Sequence, residues 1–242
     1  MRIGLFIPCY VDQFYPSAAI ATMKLLQKYG VEVVYPMNQT CCGQPMANSG
    51  YERFGKATSE LFLKNFSDFE YIVAPSGSCT LHVKEHVIPH GSFRPQIFEL
   101  CEFLTDILKV KAIESSFPHK VGLHASCHGL RGLGLAKPSE IVAAPFDKPL
   151  SLLQKVKGIE IVSLSRKDEC CGFGGTFAVM EEAVSVSMGN DRIADHHSHG
   201  VEVITSADMS CLMHLEGLLK RKNSPIKIKH IAEILNGNTL ES

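Results

Sequence analysis

The triplet Cys-Cys-Gly occurs twice, as Cys41-Cys42-Gly43 and within Glu169-Cys170-Cys171-Gly172-Phe173-Gly174-Gly175. Adjacent cysteines followed by glycine suit a grip on a metal better than they suit core packing. Each triplet stands between two outlying cysteines, Cys9 and Cys79 for the first, Cys127 and Cys211 for the second. The outer gaps are 32 and 37 positions in the first set and 43 and 40 in the second. Eight of the nine cysteines therefore fall into two sets in the same order, the pattern of an internal duplication that builds two thiolate-rich metal sites. Thiolates are soft ligands suited to iron–sulfur clusters and to zinc. Gly43 and Gly172 permit φ > 0 and close backbone approach, so neighbouring cysteines can face one centre. Gly172, Gly174 and Gly175 could aim backbone N–H groups at sulfide or thiolate.

Histidines accompany both sets. His82 and His214 each stand three positions after the last cysteine, on the same helix face, as a further ligand or an outer hydrogen-bond donor. His124 and His128 flank Cys127 and are candidates for outer support. Cys101 has no counterpart in the other repeat, and its apolar helical setting points to core packing. His196, His197 and His199 fall just before Gly200, where a solvated helix end is expected. Asp191, Arg192 and Arg131 are read as salt-bridge or partner-contact residues.

The elements that must position these residues alternate. Short apolar runs at 3–7, 31–35, 71–74, 121–124, 159–162 and 201–204 read as buried strands. Between them, helical spacing is expected over 17–29, 51–67, 98–109, 149–157, 176–197, 211–221 and 228–236. In 51–67 the inward face is read as Phe54, Ala57, Leu61, Phe62 and Phe66; in 176–197, as Phe177, Met180, Ala183, Val184, Met188 and Ile193. Alternation of this kind predicts an α/β fold with parallel sheets in two pseudo-symmetric Rossmann-like lobes, with repeats at 1–115 and 116–242. Every key cysteine follows the C-terminal end of a strand, where such folds place their ligand crevice. Nearby helix N-termini would favour the thiolate form.

Composition narrows the function classes. The 242 residues are 45% hydrophobic and 20% charged, with a formal net charge of -1, which fits a core-forming protein and disfavours nucleic-acid binding. No apolar run is long enough to span a membrane. The first residues read as a strand rather than a signal peptide, so a reducing cytoplasm is expected and metal binding is favoured over a disulfide framework. No Gly-x-Gly-x-x-Gly follows a strand, so no dinucleotide site is expected.

The double pattern of Cys, Cys-Cys-Gly and Cys resembles the cysteine-rich domain pair of the heterodisulfide reductase B subunit and glycolate oxidase iron–sulfur subunit family. Supporting stretches include Ile7-Pro8-Cys9, Gln39 to Pro45, Pro75 to Cys79, Ser126-Cys127-His128, Cys170 to Phe177, Asp208 to His214, and His230-Ile231-Ala232-Glu233. The resemblance implies an iron–sulfur electron carrier, with one or two clusters of [4Fe–4S] type per chain. It implies a non-NAD oxidoreductase complex turning L-lactate to pyruvate, in which this chain is not active alone. A larger ferredoxin-like iron–sulfur subunit and a third small subunit are the implied partners. The implied location is the cytoplasm, with contact to the inner membrane only through the complex. Heterodisulfide reductase B ends its motif in Cys-x-x-Cys, whereas His82 and His214 stand at the final positions here. Each site therefore has at most four cysteines, which opens histidine ligation or zinc at one site. Two other classes stay open: a structural zinc protein, and a thiol–disulfide redox subunit.

Overall fold

The computed structural model describes residues 1–88 and 95–240. In the first half, β1 (Arg2–Leu5) leads through α1 (Cys9–Phe14) and α2 (Pro16–Lys28) to β2 (Glu32–Val34). Next come α3 (Gln44–Asn48), α4 (Lys56–Phe66), β3 (Tyr71–Ala74) and α5 (Gly77–His82). The half ends with β4 (Gln96–Glu99) and α6 (Leu100–Glu102). The second half runs β5 (Lys120–Leu123), α7 (Lys148–Leu153), β6 (Glu160–Ile161), α8 (Phe177–Met180) and α9 (Glu182–Ser198). It closes with β7 (Val203–Ser206), α10 (Met209–Arg221), β8 (Lys227–His230) and α11 (Ile231–Asn236).

The strands form two four-stranded parallel sheets of matching order, β2-β1-β3-β4 and β6-β5-β7-β8. The expected α/β class with two parallel sheets is therefore what the chain adopts. Strands covered on both faces need apolar residues throughout, which is why Ile3, Leu5, Val203 and Ile204 sit in unbroken runs and are buried. Strand order reverses beside β1 and beside β5. Each reversal leaves a crevice at the C-terminal edge, and the loops carrying Cys9, Cys79, Cys127 and Cys211 open there.

Each half lends its last helix to the other. α11 packs on α2, where Lys28 Nζ donates to the Asn236 carbonyl at 2.6 Å. α6 and the π-helical turn Phe103–Ile107 lie beside α7, with Lys148 Nζ 2.5 Å from Asp106 Oδ2. One apolar core consequently runs through both sheets and includes Leu25, Leu26, Phe103, Leu153, Ile231 and Leu235. A smaller cluster around Phe6, Phe62 and Phe66 fills the remaining side of the first sheet.

Several local expectations are corrected. The stretch 98–109 begins in a strand, because Gln96-Ile97-Phe98-Glu99 pairs with β3 before the helix starts. Likewise Lys227-Ile228-Lys229-His230 pairs with β7, so the helix expected over 228–236 is confined to α11. Both strands are only four residues long, too short to show their alternation against the adjoining helix. In 51–67 only Phe62 and Phe66 turn fully inward, while Phe54 and Ala57 face solvent. The helix expected over 176–197 breaks at Glu181, and Met180 and Val184 are exposed while Ser185, Gly189, Arg192 and His196 are buried.

Glu99 and His230 end equivalent strands, and each opens a capping box with the glutamate three residues on. Burial pushes the Glu99 carboxyl up to about 8, in spite of the Cys101 and Glu102 N–H groups it accepts. An unfolded glutamate titrates near ~4.3, so between the two values the folded chain keeps a proton that the unfolded chain has lost. Stability is expected to fall as pH rises through that window. Thermal unfolding from about pH 6 to about pH 8.5 checks it. Glu99→Gln should flatten the slope, and equal slopes in the two proteins would remove Glu99 as the cause.

Candidate metal centres

Both cysteine sets collect at the C-terminal edges of their sheets. Cys9 is the first residue of α1. The loop after β2 brings in Cys41 and Cys42 and is pinned by Gln39, whose Oε1 accepts from the Ile7 N–H at 2.8 Å. The same side chain donates through Nε2 to the Leu5 carbonyl at 3.2 Å. Cys79 is the third residue of α5, and its N–H is accepted by the N-cap Ser76 at 3.3 Å. In the second half, Cys127 immediately precedes a π-helical turn, His128–Gly132. Cys211 is the third residue of α10, whose N-cap Asp208 accepts from the Ser210 N–H at 3.1 Å.

Within each set the thiols touch in one order, Cys9–Cys41–Cys42–Cys79 and Cys127–Cys170–Cys171–Cys211. Cys42 Sγ lies 3.5 Å from Cys79 Sγ. The Gly43 N–H points at Cys41 Sγ at 3.4 Å, and the Gly172 N–H at Cys170 Sγ at 3.3 Å. Those glycines have φ of 90° and 85°, and a Cβ on Gly172 would stand 2.7 Å from the Ser185 carbonyl. Gly174 and Gly175 turn the second loop back toward α3, where a Cβ on Gly175 would meet Asn48 Nδ2 at 3.2 Å.

Hydrogen bonds from the Cys42 and Cys9 thiols hold Cys41 down at about 2, and those from Cys127 and Cys171 hold Cys170 down at about 2. The same contacts, with burial, push Cys9, Cys42, Cys127 and Cys171 up. Thiols touching in this order favour negative charge on Cys41 and on Cys170. A soft cation replacing the shared protons suits such a donor set. Tetrahedral Zn–S bonds of ~2.3 Å separate sulfurs by about 3.8 Å, close to the Cys42–Cys79 distance.

His82 and His214 meet the cysteine loops through carbonyls. The buried His82 ring hydrogen-bonds to the Cys42 carbonyl, and His214 Nε2 lies 3.3 Å from the Ser185 carbonyl and also reaches that of Cys171. Burial lowers both imidazoles below their ordinary range. His128 opens the π-helical turn and is half-buried. Cys101 is fully buried in the shared core, as its helical setting implied.

Sequence reasoning undervalued His124. It is 1% exposed, and its ligand atom lies with those of Cys171 and Cys211 in a group spanning no more than 4.8 Å. Burial and the Arg192 charge hold it down at about 3, so it is a neutral imidazole, the form that ligates. His196 corrects the solvated-terminus expectation, because it is 0% exposed and faces Gly122, while His197 stays in solvent. Arg192 is likewise fully buried, paired to Asp195 at 3.1 Å and to the Arg166 carbonyl. Asp195 in turn accepts from the Ser165 and Arg166 N–H groups, fixing the loop that leads to Cys170.

The two sites are tied together by Asp208. Its Oδ2 accepts from the Ser78 N–H of the other half at 2.7 Å, and its Oδ1 from the Tyr10 hydroxyl at 3.3 Å. Ser76 and Asp208 also form a short antiparallel bridge. The signal was present in the chain, since Ser76 and Asp208 each stand three positions before the last cysteine of a set.

These features define a duplicated α/β protein with two clusters of four cysteine thiols that could bind a metal. A family model described as "Cysteine-rich domain" matches residues 3–84 and 121–216. A protein from Halalkalibacterium halodurans described as "Lactate utilization protein A" is 40% identical, over 98% of this chain and 97% of its own. Proteins of the same description from Exiguobacterium sp. and Bacillus subtilis are 41% and 38% identical, over 97% and 98% of this chain and 97% and 99% of their own. The chain belongs to the lactate utilization protein A family of cysteine-rich proteins. Among solved structures, glutamate racemase RacE1 of Bacillus anthracis aligns over 97% of this chain and 78% of its own, with 13% identity and a TM-score of 0.38. No helix among the described residues is long and apolar enough to cross a membrane.

Asp208→Ala would strand the Ser78 and Ser210 N–H groups and the Ser210 hydroxyl. Each buried donor left unpaired costs ~1–3 kcal/mol, so a loss of about 3 kcal/mol or more is expected in urea unfolding. A loss under about 1 kcal/mol would show that the carboxylate is not the tie between the sites.

Proposed function

We propose that this chain is an iron–sulfur electron carrier in an assembly that oxidises L-lactate to pyruvate. The observation that carries the reading is the pair of four-thiol clusters, each with two cysteines buried and two reaching the surface. A group held there is shielded on one side and open to a docked partner on the other. Cys9, Cys41, Cys42 and Cys79 would hold one cluster, and Cys127, Cys170, Cys171 and Cys211 the other. Bound clusters of [4Fe–4S] type would supply one-electron transfer. His82 and His214 brace the cysteine loops through carbonyl hydrogen bonds, and the Gly43 and Gly172 N–H groups donate to sulfur, which tunes potential. Lactate enters the reading from the description that the relatives carry.

The chain works with partners, a larger ferredoxin-like iron–sulfur subunit and a third small subunit, in the cytoplasm. Exposed apolar side chains flank the cysteine loops in sequence, namely Met37, Phe54, Val179 and Met180, at 86%, 60%, 82% and 78% exposure. Apolar side chains so exposed beside a redox site suit a docking surface. A second reading has zinc at one site, favoured by the 3.5 Å Cys42–Cys79 contact.

Anaerobic purification of the full chain, with iron, sulfide and zinc analysis and EPR, tests the reading. Iron with matching acid-labile sulfide and a reducible signal is expected. Cys41→Ser and Cys170→Ser should each lower iron content by about half if both sites are filled. Stoichiometric zinc without sulfide would replace the electron carrier with a structural metal protein.

A further inference from the structure

We propose that the two cysteine sites are chemically unequal: His124 supplies an imidazole nitrogen to the metal group of the second site, and Phe6 stands in its place at the first. The inference rests on the iron–sulfur reading only for the choice of metal.

Backbone register makes the two residues equivalent. Phe6 follows β1 and donates its N–H to the Val73 carbonyl at 2.9 Å; His124 follows β5 and donates to the Thr205 carbonyl at 2.7 Å. Val73 and Thr205 occupy matching steps of β3 and β7. Around Phe6 the first half is apolar, with Phe62 edge-on at 5.1 Å and Phe66 at 5.9 Å. Gly4 makes room for Phe66, since a Cβ there would lie 2.7 Å from its ring. At the same step of the second sheet, Gly122 makes room for His196. Arg192 precedes His196 by four residues, as Phe62 precedes Phe66. An aromatic trio in one half is thus a His124, Arg192 and His196 trio in the other.

That exchange places unpaired polar atoms in the interior. Both ring nitrogens of His124 lack a hydrogen-bond partner among the described residues, although the side chain is 1% exposed. Buried polar atoms are costly unless something engages them. The soft donors nearest to hand are Cys171 and Cys211, in the group whose ligand atoms span no more than 4.8 Å. A metal held by those sulfurs gives one imidazole nitrogen its partner, and the site becomes a mixed sulfur and nitrogen set. The first site stays wholly sulfur at this position, since a phenyl ring cannot ligate. The second site thus gains a neutral nitrogen donor that the first lacks, so the two sites are assigned different midpoints.

The test uses the full chain, labelled with 15N-histidine, loaded with 57Fe and reduced, and reads pulsed EPR and redox titration together. One directly coupled histidine nitrogen is expected. It should persist in Cys41→Ser, which disables the first site, and disappear in Cys170→Ser. It should also be lost in His124→Phe and in His124→Cys. The cysteine variant keeps a ligand and should shift one midpoint downward while leaving the other in place. Circular dichroism confirms that each variant is folded. Coupling that survives both His124 variants, or is absent from wild-type protein carrying its full iron, overturns the assignment. Should the chain hold no iron, the iron–sulfur reading fails by itself, and cobalt(II) then probes the ligand. A hyperfine-shifted imidazole N–H in the proton NMR spectrum, lost in His124→Phe, upholds the nitrogen donor; no such signal in wild type overturns it.

Discussion

Between the two cysteine sites lies a buried carboxylate, and much of the architecture depends on how it is satisfied. Asp208 caps α10, the helix that presents Cys211, and reaches across to the Ser78 N–H in α5, the helix that presents Cys79. Tyr10, next to Cys9, donates to the same carboxylate. One side chain thereby fixes the first turns of two cysteine-bearing helices and the residue after a third cysteine. A carboxylate at 1% exposure is tolerable only because these donors surround it. The cysteines of each half are positioned relative to the other half, and the exchange of α6 and α11 strengthens that coupling.

Duplication explains the frame, and divergence explains the chemistry. Sheet order, strand register, N-caps and the final capping boxes repeat nearly step for step. What differs is the wall behind the sulfurs. The first half uses aromatic packing, where Phe6, Phe62 and Phe66 meet at centroid distances of 4.7–5.9 Å. The second uses ionisable groups, held inside by the Arg192–Asp195 pair. That pair also pins the loop before Cys170, a task that Gln39 performs in the first half. Removing either member would leave a buried charge without its partner, so the two are interdependent.

Crowding of four sulfurs would couple the binding of a soft cation to the local fold. Hydrogen bonds from neighbouring thiol protons favour the anion at Cys41 in one set and at Cys170 in the other. Glycine is required beside them because the backbone turns with positive φ while its N–H faces sulfur. Such a site gains stability when a soft cation takes the place of the protons.

The amino-acid sequence by itself determined the duplication, the parallel α/β class and the eight cysteines, because strand runs and cysteine spacing are local signals that repeat. It also placed Cys101 in the core. Tertiary structure alone decided the rest. Strands β4 and β8 form because β3 and β7 offer free edges, and four residues against a following helix carry too little periodicity to show it. The face of α9 was misjudged because Arg192 and His196 look solvent-bound in one dimension; burial became tolerable only once Asp195 and the Arg166 carbonyl supplied partners. His124 stood out only when register aligned it with Phe6 and brought it toward Cys171 and Cys211, 47 and 87 positions away in the chain. Long-range pairing of polar groups is invisible to periodicity, and the second site is built from such pairing.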